Sequence, residues 1–353
     1  MSKFLGYILN LRGIAILIVV GVHARGNLSD WPAHESVHDA LATFLDAREG
    51  NGTVMFIFIG GFLFQYLTYQ SFDFRKYLEK KFMYVILPYL LVSIPIIAFR
   101  IYTHYSFGMP AGFTQQSVFY QFFYYILTGL HLAPFWFISA IVLFYLSGPL
   151  FHSLDKPRVY RYVFPILLLT SLFTYRPLYN ADPFLSYLHY LPVYYLGMWA
   201  SFNRQRILTS GNWILIPMIL AYAYITLGEI FGWMPPRERM SFEQIVNDRL
   251  LLFNVDLLKA ILLCFILMIL LYRFREKRFL FLEILGEYSF GIFFVHCLII
   301  FATNKVWISV FGPIEFSLVT FIIYFAYVLL LSTVTVFFVK KITGRYSRIL
   351  IGS

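Results

Sequence analysis

Charge is scarce in this chain. Asp, Glu, Lys and Arg make up 13% of its 353 residues, about half the share that a water-facing surface carries. That shortage excludes an ordinary soluble domain, because 60% of the residues are hydrophobic and lipid is the solvent that suits them. Cysteine is scarcer still. Cys264 and Cys297 both lie in apolar runs, which excludes a disulfide scaffold and reads as two inert buried thiols. Cys297 follows His296, yet neighbours on a helix project about 100° apart, which argues against a Cys/His nucleophile pair. Also missing are Pro/Gly/Ser-rich linkers, low-complexity tracts and internal repeats, so residues 1–353 are read as one domain.

Acidic residues are outnumbered, 18 against 28 Lys and Arg, for a net charge of +10. The basic residues are spread over short gaps and form no stripe or arm, which excludes a nucleic-acid partner. Membrane topology explains them better. Apolar runs of spanning length, about 20 residues, are expected at Leu5 to Ala24, Thr53 to Tyr69, Phe82 to Tyr102, Pro134 to Phe151 and Tyr162 to Tyr175. The second half adds Ser186 to Phe202, Trp213 to Gly228, Leu251 to Tyr272, Tyr288 to Thr303 and Ile314 to Val339. The fold class is therefore all-α and polytopic, with about ten transmembrane helices.

The segment Ser117 to Leu130 reads as an interfacial or re-entrant helix, with Tyr120, Phe122, Phe123, Tyr124 and Tyr125 as an aromatic belt. The first run is kept as a span, not a cleaved leader, because Arg12 comes late and the remainder is also membrane-spanning. With the N-terminus inside, every cytoplasmic gap is basic: Lys3 and Arg12; Arg75, Lys76, Lys80 and Lys81; Lys156, Arg158 and Arg161; Arg204 and Arg206; Arg273, Arg275, Lys277 and Arg278; Lys340, Lys341, Arg345 and Arg348. This is the positive-inside pattern. An even number of crossings then leaves the N and C termini cytoplasmic.

Ionisable groups inside spans are costly and mark function or internal pairing. Arg12 and His23 share the first span at about three helical turns, hence on one face and roughly 16 Å apart along the axis. One reading has Arg12 snorkelling to lipid phosphates and His23 at the opposite interface. The other has Arg12 holding an anionic donor whose reactive end lies beside His23. Asp256 and Lys259 read as an ion pair within one helix, though a transporter places such pairs in its pathway. His34-Glu35-Ser36-Val37-His38 matches H-E-x-x-H, the pattern in which two imidazoles on one helix face bind zinc and Glu serves as base. It lies in a polar loop with no evident third ligand, so no metal is assigned. A membrane metalloprotease and a small-molecule transporter stand as the alternatives.

The same residues resemble a known family, the membrane-bound acyltransferase 3 proteins. Arg12, Gly13, Ala15 and His23 reproduce that family's Arg, ten residues, His signature in the first span. Phe56-Ile57-Phe58-Ile59-Gly60-Gly61-Phe62 resembles its FF-x-x-SGF stretch, departing at Ile57 and Gly60. Lys80-Lys81 before Ile86-Leu87-Pro88, with Val85 where Arg is usual, resembles its basic cluster. Pro134-Phe135-Trp136-Phe137 resembles its WFL segment, and Gly286-Glu287-Tyr288-Ser289-Phe290-Gly291 with His296 its late G-x-YS stretch. The resemblance implies an integral-membrane O-acyltransferase of the bacterial cytoplasmic (inner) membrane. It implies acyl-CoA, acetyl-CoA first, as co-substrate with no bound cofactor, and a surface polysaccharide, lipopolysaccharide or lipid-linked glycan as acceptor. His23 is then the expected general base. Arg12, Lys80 and Lys81 receive the donor phosphates, and Glu35, His38, Asp39, Trp136 and His296 face the acceptor or the cavity. The hydrolase-like domain fused to some members is not expected.

Overall fold

In a bilayer every backbone N–H and C=O must find its partner within the chain, which leaves helices and closed barrels as spanning structures. The computed structural model describes residues 6–25, 51–105, 108–172, 182–231, 233, 254–312, 314 and 317–353, and among these the regular elements are all helical. Helix α1 (Gly6–Arg25) and helix α2 (Asn51–Thr68) precede a long rod made of α3 (Phe74–Lys81), a π turn (Phe82–Ile86) and α4 (Leu87–Tyr102). There follow α5 (Val118–Thr128), α6 (Trp136–Leu146), α7 (Gly148–Leu154), α8 (Pro157–Leu172), α9 (Pro183–Phe202) and α10 (Arg204–Leu208). The series closes with α11 (Asn212–Ile230), α12 (Val255–Arg273), α13 (Leu280–Phe311), α14 (Leu318–Thr343) and α15 (Ser347–Leu350).

Each of the ten expected spans overlaps a helix, and the aromatic segment after Ser117 is α5. Among the described residues, 6 helices are long and apolar enough to cross a membrane: α1, the α3–α4 rod, α11, α12, α13 and α14 with its extension to Leu350. A seventh appears if α6 and α7, bent by 57°, count as one. This is fewer than the expected ten, for physical reasons. Helices α2 and α8 are short, and α9, dense in Tyr, is buried along most of its length. The bend between α6 and α7 falls at Ser147-Gly148-Pro149, the kind of small-residue and proline break that kinks helices.

Side-chain caps set several helix starts. Asp73 accepts from the Lys76 N–H, Asp182 from Phe184 and Leu185, and Asn254 from Leu257. Ser317 and Thr320 form a reciprocal capping box before α14. These groups satisfy backbone donors that the helix leaves open.

Lipid supplies no hydrophobic drive between helices, so close backbone approach at small residues has to hold them. Helix α1 lies along α13, and α2 along α9. Both contacts are made by reciprocal glycines. A methyl on Gly13 would strike the Leu282 carbonyl of α13, and one on Gly286 the Leu9 carbonyl of α1. Likewise Gly61 faces the Tyr194 carbonyl, and Gly197 the Phe58 carbonyl. Gly13→Ala and Gly286→Ala are therefore expected to lower stability by about 1–3 kcal/mol through overpacking, read as a fall in unfolding temperature in detergent. Gly6→Ala, whose added methyl meets nothing within 4 Å, should leave that temperature unchanged.

Candidate functional site

Arg12 and His23 both turn toward α13. The Arg12 Nη2 donates to Ser289 Oγ at 2.9 Å, and the buried Ser289 hydroxyl donates to the Gly286 carbonyl at 2.9 Å. The serine proton is thus committed to the backbone, and its lone pairs face the guanidinium. About three turns along α1, the His23 ring stacks on His296, with centroids 5.2 Å apart and planes 14° from parallel. The partners come in the same order on both helices, Ser289 then His296, so α1 and α13 run parallel.

Lys81 joins the Arg12 level. It ends α3, and the π turn that follows inserts extra backbone before α4, a device often found at functional positions. The Lys81 ammonium lies 4.6 Å from the Tyr145 ring centroid and 5.3 Å from that of Tyr77, close enough to Arg12 for the two charges to repel. Among the described residues neither cation has a carboxylate partner, and Ser289 is the acceptor the guanidinium finds. Two neighbouring, half-buried cations repel, and an anion bound between them would relieve that repulsion. Lys80 is exposed and does not share this position.

A third cation, the buried Lys259, is neutralised within the chain. Lys259 Nζ lies 2.5 Å and 2.6 Å from the two carboxylate oxygens of Glu229 on α11, and 3.7 Å from Asp256 on its own helix. The expected Asp256–Lys259 pair is therefore present as the longer contact. Its stronger partner, Glu229, comes from another helix and was invisible to helical spacing. The group reads as an internal clamp joining α11 to α12.

At the histidine level, His296 is fully buried and its Nδ1 lies 2.9 Å from the Ile292 carbonyl. A carbonyl can only accept, so Nδ1 carries the ring proton and Nε2 presents its lone pair. That lone pair faces Cys297 Sγ at 3.3 Å. The expectation that neighbouring residues point too far apart to meet is corrected here. An imidazole reaches far enough from Cβ for Nε2 to turn back toward the next side chain. Aromatic rings wall this level. Phe293 lies 6.3 Å from the His296 ring and 5.6 Å from Phe137, which packs on Phe56 of α2 at 6.3 Å. Trp136, 9% exposed, stacks on Tyr190 of α9 at 5.9 Å.

The structure thus gathers Arg12 with Lys81, and His23 with His296, and places Trp136 in the aromatic wall beside Phe137. His34, Glu35, His38 and Asp39 lie outside the described residues. His131 was not singled out from sequence. It is fully buried between Tyr89, Tyr125 and Phe135, and Phe135 in turn touches Phe293. A lone His in an aromatic run carries no spacing signal that would have found it.

A family model described as an acyltransferase domain matches residues 5–337, nearly the whole chain. No curated protein and no solved structure matches.

Arg12 and Lys81, without a carboxylate partner among the described residues, make a prediction of their own. Pyrophosphate should raise the unfolding temperature of the purified protein. Arg12→Ala and Lys81→Ala should each lose most of that shift, and Lys80→Ala should keep it. Lys259→Met, which leaves Glu229 and Asp256 without their cation, is expected to cost roughly 3–5 kcal/mol, read by the same unfolding measurement.

Proposed function

The chain belongs to this acyltransferase family, and from that premise we propose that it moves an acyl group, acetyl foremost, from cytosolic acyl-CoA to a hydroxyl of a cell-surface polysaccharide or lipid-linked glycan. Membership in a membrane acyltransferase family displaces the metalloprotease and transporter alternatives. The observation that carries the finer reading is the division of one face of α1 into two levels. Arg12 with Lys81 forms a cationic pair with no carboxylate partner among the described residues at one level, and His23 against His296 forms an imidazole pair at the other. The separation is about 16 Å.

The donor fits this division end to end. Its phosphates are anionic and match Arg12, whose planar guanidinium makes bidentate contacts, and Lys81 as a point charge. Its pantetheine arm is extended and uncharged, and its thioester lies at the far end, where the imidazoles are. The acceptor hydroxyl loses its proton to His23 as its oxygen attacks the thioester carbonyl. The carbon–sulfur bond then breaks, the ester forms, and the CoA sulfur leaves with its electron pair. His296, with its tautomer fixed by the Ile292 carbonyl, holds the His23 ring in a set plane. Trp136 and the Phe137 wall close the acceptor side.

In this reading the basic gaps face the cytoplasm, both termini with them, and the chain makes ten crossings of a bacterial inner membrane. Acyl-CoA then enters from the cytosol, and the glycan meets the acyl group farther out. Glu35, His38 and Asp39 are assigned to the acceptor in this reading.

His23→Ala should lower the transfer rate by roughly 10²–10⁴-fold in protein that still inserts and unfolds at the normal temperature, measured with labelled acetyl-CoA and a glycan acceptor. An active His23→Ala enzyme refutes the assignment. Arg12→Ala and Lys81→Ala should raise the KM for the donor more than the KM for the acceptor. Equal effects on both would remove them from the donor end.

A further inference from the structure

The histidine level holds more than a base. His23, His296 and Cys297 each offer one ligand atom, and these three atoms lie within 4.8 Å of one another. Among the described residues this is the group of three or more His, Cys, Asp or Glu side chains that meets that condition. Two parallel helices supply it, α1 one donor and α13 two. His296 is fully buried and Cys297 6% exposed, while His23 is half-buried and leaves the site open on its side.

The orientation is also that of a ligand set. A metal-bound histidine characteristically donates its second ring N–H to a carbonyl or carboxylate, which fixes the tautomer and directs the free lone pair at the ion. His296 Nδ1 does this with Ile292, and Nε2 points to the Cys297 sulfur at 3.3 Å. Tetrahedral zinc with nitrogen at about 2.0 Å and sulfur at about 2.3 Å sets neighbouring ligand atoms roughly 3.5 Å apart. The His296–Cys297 edge, 3.3 Å, is close to that length, and the wider His23 edge closes with a small rotation of the half-buried His23 ring. Two imidazoles and a thiol select a borderline-soft divalent ion over magnesium or calcium, which take oxygen.

We propose that His23, His296 and Cys297 form a binding site for zinc(II), and that zinc bound there switches the transferase off. The thiol binds as thiolate and its proton goes to solvent. The two imidazoles donate their lone pairs, and water completes the fourth position. A His23 lone pair held by the ion no longer accepts the acceptor's proton. The binding site stands without the functional reading; the switch rests on it.

The test uses the full chain, purified in detergent, stripped with a chelator and dialysed against cobalt(II). One equivalent should bind, with a near-ultraviolet thiolate-to-cobalt absorption. Cys297→Ser should lose that band, and Cys264→Ser, changed at the other buried cysteine, should keep it. Zinc X-ray absorption on the unmutated chain covers the case of a misfolded variant, and should show one sulfur and two imidazole nitrogens. Substoichiometric cobalt, a band that survives Cys297→Ser, or a sulfur-free zinc shell each overturn the site. In the transfer assay, zinc should inhibit the unmutated enzyme reversibly. Its inhibition constant should rise at least tenfold in Cys297→Ser, relative to that variant's own zinc-free rate. Equal inhibition of both sinks the switch. If the metal-free chain transfers nothing while the cobalt band is intact, the functional reading fails and the metal site stands.

Discussion

The close crossing of α1 on α13 is the constraint from which the site follows. Gly13 and Gly286 let the two backbones approach until each lies against the other's carbonyl row. At that spacing, side chains from one helix reach the other directly. Arg12 meets Ser289, and three turns on, His23 meets His296. A larger residue at either glycine forces the helices apart at the cationic level and levers the imidazoles out of register. The signature glycine beside Arg12 is therefore a packing element of the site. A second reciprocal pair, Gly61 and Gly197, ties α2 to α9 in the same way. That contact carries Phe56 and Tyr190 into the aromatic wall.

Electrostatics separates scaffold from site. Lys259 is buried with two carboxylates within 4.0 Å, so its charge is matched inside the protein. Arg12 has the Ser289 hydroxyl as its partner, and Lys81 lies over the Tyr77 and Tyr145 rings. Among the described residues carboxylates match Lys259 and not Arg12 or Lys81, a difference that suits the anionic donor proposed above.

Much of this was legible in the sequence, and the limits have physical causes. The helices follow from apolar run length, and the shared face of Arg12 and His23 follows from 3.6 residues per turn. Helical period does not say which apolar helix meets lipid. Helix α9, read as a span, is wrapped by its neighbours along most of its length. Nor does it tell Lys80 from Lys81: the difference is one of rotation about α3, next to a π turn that no residue pattern announced. Glu229 was overlooked because its partner lies on another helix. Cys297 was set aside on a Cβ direction argument that ignores how far an imidazole extends.

The hydrogen bond from His296 to its own helix has a consequence for how a turnover ends. With Nδ1–H given to the Ile292 carbonyl, the inner ring has no through-path from one nitrogen to the other. A proton captured by His23 therefore cannot be shuttled down α13 as along a wire. On the proposed reaction it has a nearer destination, the sulfur of the departing carrier, which needs one to leave as a neutral thiol. The imidazole pair is then reset by the product's own exit, and the cycle closes without drawing a proton across the membrane.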